Sequence, residues 1–152
     1  TNWGVYFLHN QGEPVERNLA RCPATAQALS AVPLVHIPGR GPSVFFSRLK
    51  PGAHIPAHHG ATNTRLVAHL PLVVPPNCGL RVGNRTVEWR PGELVVFDDT
   101  LEHEAWNRSD QTRVVLIFDV WNPMLSALER DMVAAVTAGY ADFFPGKLHK
   151  VD

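Results

Sequence analysis

The chain has 152 residues, with 14 basic and 14 acidic side chains and a formal charge of zero. This length suits a single domain over residues 1–152 with a hydrophobic core of its own. The balanced charge argues against nucleic acid or an anionic membrane surface as a partner, because both require a concentrated basic surface.

The amino-terminal segment TNWGVYFLHNQG lacks the basic and then apolar order of a signal peptide, and no apolar run is long enough for a membrane span. The two cysteines, Cys22 and Cys78, are too few for a disulfide framework or a thiolate metal site. We therefore expect a soluble, monomeric, cytoplasmic protein with reduced cysteines, and a single disulfide is the alternative. The chain begins at Thr1, which leaves a processed product with an upstream anchor or domain as an open alternative.

The residues from about Pro14 to Val32 are rich in alanine, and Pro23 stands where a helix can begin. This segment predicts one or two short helices. From Ser43 to Trp121 the sequence changes to short runs of valine, leucine and phenylalanine, which turn motifs such as GNR at 83–85 interrupt. Turns at intervals of about eight to twelve residues are typical of an antiparallel sandwich or barrel.

A further helix is predicted after Pro123. Ser126 and Glu129 have the spacing of a capping box, and Gly139 is the predicted end of the helix. Helices are therefore expected on both sides of an all-β middle.

Two predicted strands, residues 65–74 and 112–120, each have one wholly aliphatic face. Successive side chains of a strand point to opposite faces. The aliphatic faces are Leu66, Ala68, Leu70, Leu72 and Val74 in the first strand, and Val114, Leu116, Phe118 and Val120 in the second. The opposite faces contain Arg65, Val67 and His69, and Arg113, Val115, Ile117 and Asp119. We expect the aliphatic faces to pack against the helices and the mixed faces to line a barrel that holds a small ligand.

His58 and His103 are the strongest candidates for chemistry. A non-haem iron site commonly takes two histidines and one carboxylate. The position two residues after His58, where that carboxylate is usual, is Gly60. The sequence therefore predicts a metal held by two imidazoles, with more open coordination positions than usual. His54 is the alternative first ligand, and His59 is expected to be exposed.

The segment NRSDQ at 107–111 predicts a hairpin turn near Ser109. That hairpin would pair His103 with Val115 and Ala105 with Arg113. The Arg113 guanidinium would then lie beside His103, where it could bind a carboxylate ligand in a bidentate pair.

These segments together resemble the aspartyl/asparaginyl β-hydroxylase family over about residues 43–123. The matching features are His-x-Gly at 58–60, Arg65, His69, Phe-Asp-Asp at 97–99, His-Glu-x-Trp at 103–106 and Arg113. The resemblance implies a mainly β fold, a double-stranded β-helix or cupin-like jelly roll, with flanking helices. It also implies an Fe(II)- and 2-oxoglutarate-dependent dioxygenase that uses O2 to hydroxylate an sp3 carbon, such as the β-carbon of an aspartyl or asparaginyl residue.

The resemblance also implies roles for single residues. His58 and His103 correspond to the iron ligands. His69 and Arg113 correspond to residues that hold the carboxylates of 2-oxoglutarate, with the Ser47 hydroxyl assisting them. Arg65 corresponds to a residue near the substrate, and Arg113 completes the catalytic set with the two histidines.

The sequence departs from the animal enzyme's pattern at Val67, where that enzyme has a second arginine, and at Asn122, where histidine is found. The loss of positive charge at Val67 argues against an acidic side chain held by an arginine pair, and with it against a protein aspartate as the substrate. The sequence alone does not decide between a peptide aspartate, a free or carrier-bound amino acid, and a lipid acyl chain. Asp98 and Asp99 are candidates for a carboxylate that hydrogen-bonds to a metal ligand or a bound water, and the alternative is a turn that caps its own backbone.

Two other functions remain open from the sequence. A non-haem iron halogenase also has a small residue in place of the iron's carboxylate, which makes room for chloride. A non-catalytic cupin-like binding module would share the fold without the reaction.

Overall fold

The computed structural model describes residues 2–143. Its strands are β1 (Trp3–Asn10), β2 (Glu13–Pro14), β3 (Val44–Leu49), β4 (His54–His58), β5 (Arg65–Val73), β6 (Cys78–Val82), β7 (Arg85–Val87), β8 (Val95–Phe97), β9 (His103–Asn107) and β10 (Arg113–Trp121). Its helices are α1 (Glu16–Leu19), α2 (Pro23–Leu29) and α3 (Ala127–Phe143).

The strands form two antiparallel sheets with a cavity between them. The larger sheet has the order β2-β1-β3-β10-β5-β8, and the smaller sheet has the order β4-β9-β6-β7. Side chains of both sheets line the cavity. This arrangement is the predicted jelly roll, and β3 to β10 lie within the predicted β region.

The expectation that helices alone precede the β region is wrong, because β1 comes before α1 and pairs with β3. Most side chains of β1 are exposed or only partly buried. Such a strand need not alternate between apolar and polar residues, so periodicity alone gives little signal. The two short helices are confirmed, and Pro23 is at the start of α2.

The predicted faces of β5 and β10 are confirmed. Ala68, Leu116 and Phe118 join Leu29 of α2 in one core cluster, whereas the opposite faces point into the cavity. Leu72 and Val74 differ from the prediction. Leu72 is 42% exposed, and Val74 packs in the cluster that contains Val115, because the register of β5 and β10 shifts between Pro71 and Val73.

The capping box at the start of α3 is confirmed. The Ser126 backbone N–H donates to the Glu129 carboxylate at 2.7 Å, and the Glu129 backbone N–H donates to the Ser126 hydroxyl at 3.3 Å. The predicted end at Gly139 is wrong, because α3 continues to Phe143. Gly139 does not have the positive φ with which glycine usually ends a helix.

The predicted hairpin through Ser109 is also wrong. β9 pairs with β4 and β6, whereas β10 pairs with β3 and β5. The connection between them passes from one sheet to the other. The buried Asn107 side chain fixes its start by donating to the Leu49 and Gln111 carbonyls at 3.0 and 2.7 Å. His103 and Arg113 therefore reach the cavity from different sheets.

Cys22 and Cys78 are both free thiols. Within residues 2–143, none of the helices combines the length and the hydrophobicity that a membrane span needs. The oligomeric state and the cellular compartment stay predictions.

Candidate active site

A cavity of about 740 Å³ lies between the sheets, and every predicted site residue lines it. These residues are Ser47, His58, Arg65, His69, His103 and Arg113. One wall is formed by Met132, Val133, Val136 and Thr137 of α3. The volume is sufficient for a small co-substrate and part of a second molecule.

A β-bulge brings His58 to the cavity. Ile55 pairs with Ala105 and His58 pairs with His103, so three steps along β4 match two steps along β9. The extra residue turns His58 to the same face as Ile55, although strict alternation would place them on opposite faces. The His58 and His103 rings consequently lie 4.1 Å apart between their centroids.

Backbone carbonyls orient both imidazole rings. His58 Nδ1 donates to the Pro56 carbonyl at 2.8 Å, and His103 Nδ1 donates to the Leu101 carbonyl at 2.9 Å. Because a carbonyl only accepts, each Nδ1 carries the proton and each Nε2 keeps its lone pair. This arrangement is typical of metal-binding histidines. Burial is the main cause that lowers the pKa of His103, which favours the neutral form that a metal requires.

Gly60 leaves space that the Asp99 carboxylate fills. A Cβ atom on residue 60 would collide with the Oδ2 and Cγ atoms of Asp99. The Gly60 backbone N–H also donates to the Asp99 carbonyl at 2.6 Å. Asp99 Oδ1 is buried and has no hydrogen-bond partner among the described residues. The missing side chain at position 60 is therefore replaced by a carboxylate from a neighbouring turn.

The two aspartates of the 97–99 block have different roles. The Asp98 carboxylate accepts from the Thr100 backbone and hydroxyl at 2.9 and 2.6 Å, which is the predicted turn cap. Asp99 is buried and pairs with Arg65 at 2.9 Å. Of the two, only Asp99 lines the cavity.

Arg65 lies between two carboxylates. Its second nitrogen is 3.4 Å from Asp119, and the other Asp119 oxygen accepts from the Ser43 backbone N–H at 3.1 Å. Burial raises the pKa of Asp119 while the Arg65 charge opposes this effect. The sequence placed Asp119 on the cavity face, but nothing in the strand pattern indicated this pairing.

Arg113 is 1% exposed and faces the cavity. Burial lowers its pKa to about 10, so it is still a cation at neutral pH. It donates to the Ser47 carbonyl and hydroxyl at 3.1 and 3.3 Å, and its guanidinium lies 4.8 Å from the centre of the Trp89 ring. No carboxylate among residues 2–143 forms an ion pair with it, and its Nε has no hydrogen-bond partner.

His69 completes this end of the cavity. Burial, followed by the Arg113 charge, lowers its pKa to about 3, so the ring is neutral. Its Nδ1 is buried without a hydrogen-bond partner in the described residues. The neutral ring lines the cavity close enough to Arg113 for its charge to affect the His69 pKa.

The remaining histidines of the middle segment point elsewhere. His54 is exposed and pairs with Glu104 at 2.8 Å, and His59 is exposed, as predicted. Across residues 2–143, there is no cluster of three or more His, Cys, Asp or Glu side chains that could hold a metal ion. Sequence reasoning missed Trp3, whose indole N–H donates to the Ser47 hydroxyl at 3.1 Å, because it did not predict β1.

The chain is similar to known proteins in sequence and in fold. The Aspartyl/Asparaginyl beta-hydroxylase family profile matches residues 1–123. The chain is 41% identical over 129 residues to the ornithine lipid ester-linked acyl 2-hydroxylase of Rhizobium tropici, covering 83% of this chain and 44% of that protein. It is 35% identical over 136 residues to the aspartyl/asparaginyl beta-hydroxylase of Homo sapiens, covering 89% of this chain and 18% of that protein. The chain thus spans less than half the length of these relatives.

Solved structures show the fold. A Cupin_2 domain of a transcriptional regulator from Enterobacter cloacae has a TM-score of 0.52 at 11% identity, covering 80% of this chain and 99% of that chain. A predicted oxalate decarboxylase from Thermotoga maritima has a TM-score of 0.51 at 12% identity, covering 79% of this chain and 81% of that chain. This similarity confirms the predicted cupin-like jelly roll.

Proposed function

This chain belongs to the aspartyl/asparaginyl β-hydroxylase family, and we propose that it is an Fe(II)- and 2-oxoglutarate-dependent dioxygenase that hydroxylates an sp3 carbon. Its relatives are hydroxylases by name, which supports an enzyme that hydroxylates a substrate. The metal, the co-substrate and the substrate class are the parts that we propose.

The buried charge of Arg113 is the observation that carries the proposal. A buried cation without a carboxylate partner is unfavourable, and an anionic ligand would relieve the cost. A planar guanidinium binds a carboxylate in a bidentate pair. Ser47 and His69 line the cavity at the same end, so a dicarboxylic oxoacid fits the charge and the polarity of this pocket.

The histidine pair fits the metal. Neutral imidazoles bind Fe(II), and His58 and His103 keep their Nε2 atoms free for it. When bound, Fe(II), 2-oxoglutarate and O2 supply the oxidant that hydroxylates an unactivated C–H bond. The chain holds these groups, orients the substrate carbon and excludes water.

Asp99 argues against the halogenase. Its carboxylate fills the space beside Gly60, so a chloride in that region would meet a second negative charge. Asp99 is instead the candidate for hydrogen bonding to a water bound by the metal, because it lines the cavity together with His58 and His103. We expect turnover in chloride-free buffer and oxygen from labelled O2 in the product.

Succinate formation tests the proposed reaction. Protein incubated aerobically with Fe(II), 2-oxoglutarate and a substrate library should form succinate, and His103→Ala should abolish it because one of two metal donors is lost. His54→Ala is the matched control and should keep the wild-type rate, since this histidine lies outside the cavity. Succinate is measured by mass spectrometry together with the product.

Three outcomes would reject the proposal or part of it. Equal activity of His103→Ala and wild type would place the metal elsewhere. A chlorinated product would replace the hydroxylase with the halogenase. Absence of succinate with every substrate would favour a non-catalytic binding module.

For the substrate, we favour an apolar acyl group over an acidic aspartyl side chain. The cavity wall includes Phe45, Val67 and Ile117 from the larger sheet and Ile55 and Leu80 from the smaller sheet. The Arg65 charge is already paired with two carboxylates, which leaves little attraction for a third. The acyl 2-hydroxylase of Rhizobium tropici is a relative that acts on such a group.

A further inference from the structure

Arg40 is a cavity arginine for which neither the sequence nor the proposed reaction gives a role. It is partly buried, and it lines the same cavity as the histidine pair. Its Nε is buried and has no hydrogen-bond partner among the described residues. The ion pairs found within residues 2–143 do not include it. No described carboxylate therefore compensates the Arg40 charge, although the side chain lines the cavity.

The backbone holds Arg40 in a defined place. Ile37 and Gly41 pair through two backbone hydrogen bonds of 3.0 and 2.9 Å, and the Arg40 backbone N–H donates to the Ile37 carbonyl at 3.0 Å. Gly39 has a φ of +69°, which closes this tight turn. Ile37 and Gly41 are buried, so the turn is anchored to the body of the protein.

Apolar side chains of α3 line the opening of the cavity. Met132 and Val136 of α3 line the cavity and are 58% and 72% exposed, so they lie where it opens to solvent. Arg40 is partly exposed and lines the same cavity. An amphiphile can therefore place its chain among the apolar walls while its charged group stays at the opening.

The other cavity arginines are already engaged. One Arg65 nitrogen also lacks a hydrogen-bond partner, but the Arg65 charge is compensated by Asp99 at 2.9 Å and Asp119 at 3.4 Å. In the proposed function, Arg113 binds the carboxylate of 2-oxoglutarate. Arg40 is thus the described cavity arginine that is left for an anionic group of the substrate.

We infer that Arg40 binds the anionic group of an acyl substrate at the mouth of the cavity, and that this group is a carboxylate or a phosphate. A guanidinium forms bidentate pairs with both of these anions. The inference rests on the proposed function for the identity of the cavity as a substrate site. It names a substrate that has both an apolar chain and an acidic head.

Ligand binding without turnover tests the inference. Protein loaded with Mn(II) and 2-oxoglutarate is titrated by calorimetry with decanoate, decyl phosphate and decan-1-ol, which share one chain. Wild type should bind at least one of the two anions about tenfold or more tightly than the alcohol. Arg40→Gln should remove this difference and leave the affinity for the alcohol unchanged. Arg85→Gln is the matched control, because Arg85 is exposed and outside the cavity, and it should behave as wild type.

The outcomes separate this inference from the reaction. The anion that loses affinity in Arg40→Gln identifies the head group as carboxylate or phosphate, and either supports the inference. Equal affinity for anions and alcohol in wild type, no binding of any probe, or anion binding unchanged in Arg40→Gln would overturn it. Succinate formation is measured separately, so an active enzyme without anion selectivity refutes only the role of Arg40. Selectivity that depends on Arg40 in a protein without turnover refutes only the reaction.

Discussion

The Asp99 carboxylate occupies the space that a side chain at Gly60 would need. This feature most clearly distinguishes the site from the common set of two histidines and one carboxylate. The positions are far apart in the sequence, and a single backbone hydrogen bond joins them at 2.6 Å. The glycine was visible in the sequence as a missing ligand. Its steric reason was not, because it depends on the approach of two distant loops.

Gly60→Ala should therefore be costly because its Cβ collides with the Asp99 carboxylate. We expect a loss of stability of about 1–3 kcal/mol, as for other overpacked sites. The same change in an Asp99→Ala background should cost much less, since the colliding atoms are gone. Urea unfolding of the four proteins in this cycle measures the coupling. If the losses of unfolding free energy in the two single variants simply add in the double variant, the predicted collision between residue 60 and Asp99 is wrong.

At the scale of elements, sequence periodicity predicted which faces of β5 and β10 reach the cavity, because their pairing is regular from Arg65 to Pro71 and from Val115 to Trp121. It failed at β4, where a bulge changes the alternation between Ile55 and His58. It also failed between β9 and β10, because a short polar segment looks the same whether it closes a hairpin or crosses between sheets. Bulges and crossings are set by tertiary packing, which local pattern does not contain.

Helix α3 provides a wall of the cavity without a fully buried side chain of its own among residues 127–140. Met132→Ser should therefore leave stability within about 0.5 kcal/mol, as is usual at exposed sites. It should weaken binding of decan-1-ol by roughly threefold to tenfold, because a ligand in the mouth would lose apolar contact worth about 1 kcal/mol. Calorimetric titration of the protein loaded with Mn(II) and 2-oxoglutarate measures this affinity.

The control for this prediction is on the same helix. Leu128 is 69% exposed and does not line the cavity, so Leu128→Ser should bind the alcohol as wild type does. If Met132→Ser and Leu128→Ser lose affinity for decan-1-ol equally, the loss comes from the packing of the helix and not from contact with the ligand. If neither variant loses affinity, the alkyl chain of the ligand does not contact α3.

For the whole molecule, the sequence predicted the jelly roll and its two histidines but not the balance of charge inside the cavity. Two aspartates and three arginines line it. Tertiary contacts decide which of these arginines forms an ion pair with a carboxylate. From the sequence, Arg65 alone was expected to bind the substrate. The structure pairs that arginine and leaves Arg40, which no motif indicated, without a carboxylate partner among the described residues.

Burial of His69 makes the stability of the whole protein depend on pH. Its pKa is about 3 in the folded protein, against an ordinary value of 6.5. Between these values the unfolded chain binds a proton that the folded protein does not. The His69 contribution to stability is therefore complete above about pH 6.5 and decreases as the pH falls towards 3. From pH 7 to pH 5 this one residue should lower the free energy of unfolding by about 2 kcal/mol.

His69→Gln tests the contribution because glutamine does not titrate. Urea unfolding at pH 7 and pH 5, with a chelator and without 2-oxoglutarate, should show a decrease that is about 2 kcal/mol smaller in the variant than in wild type. The comparison uses the change with pH, so a lower stability of the variant at pH 7 does not affect it. A wild-type change in His69→Gln as well would mean that His69 binds a proton as readily in the folded protein as in the unfolded chain, and therefore that burial does not keep it neutral at pH 5.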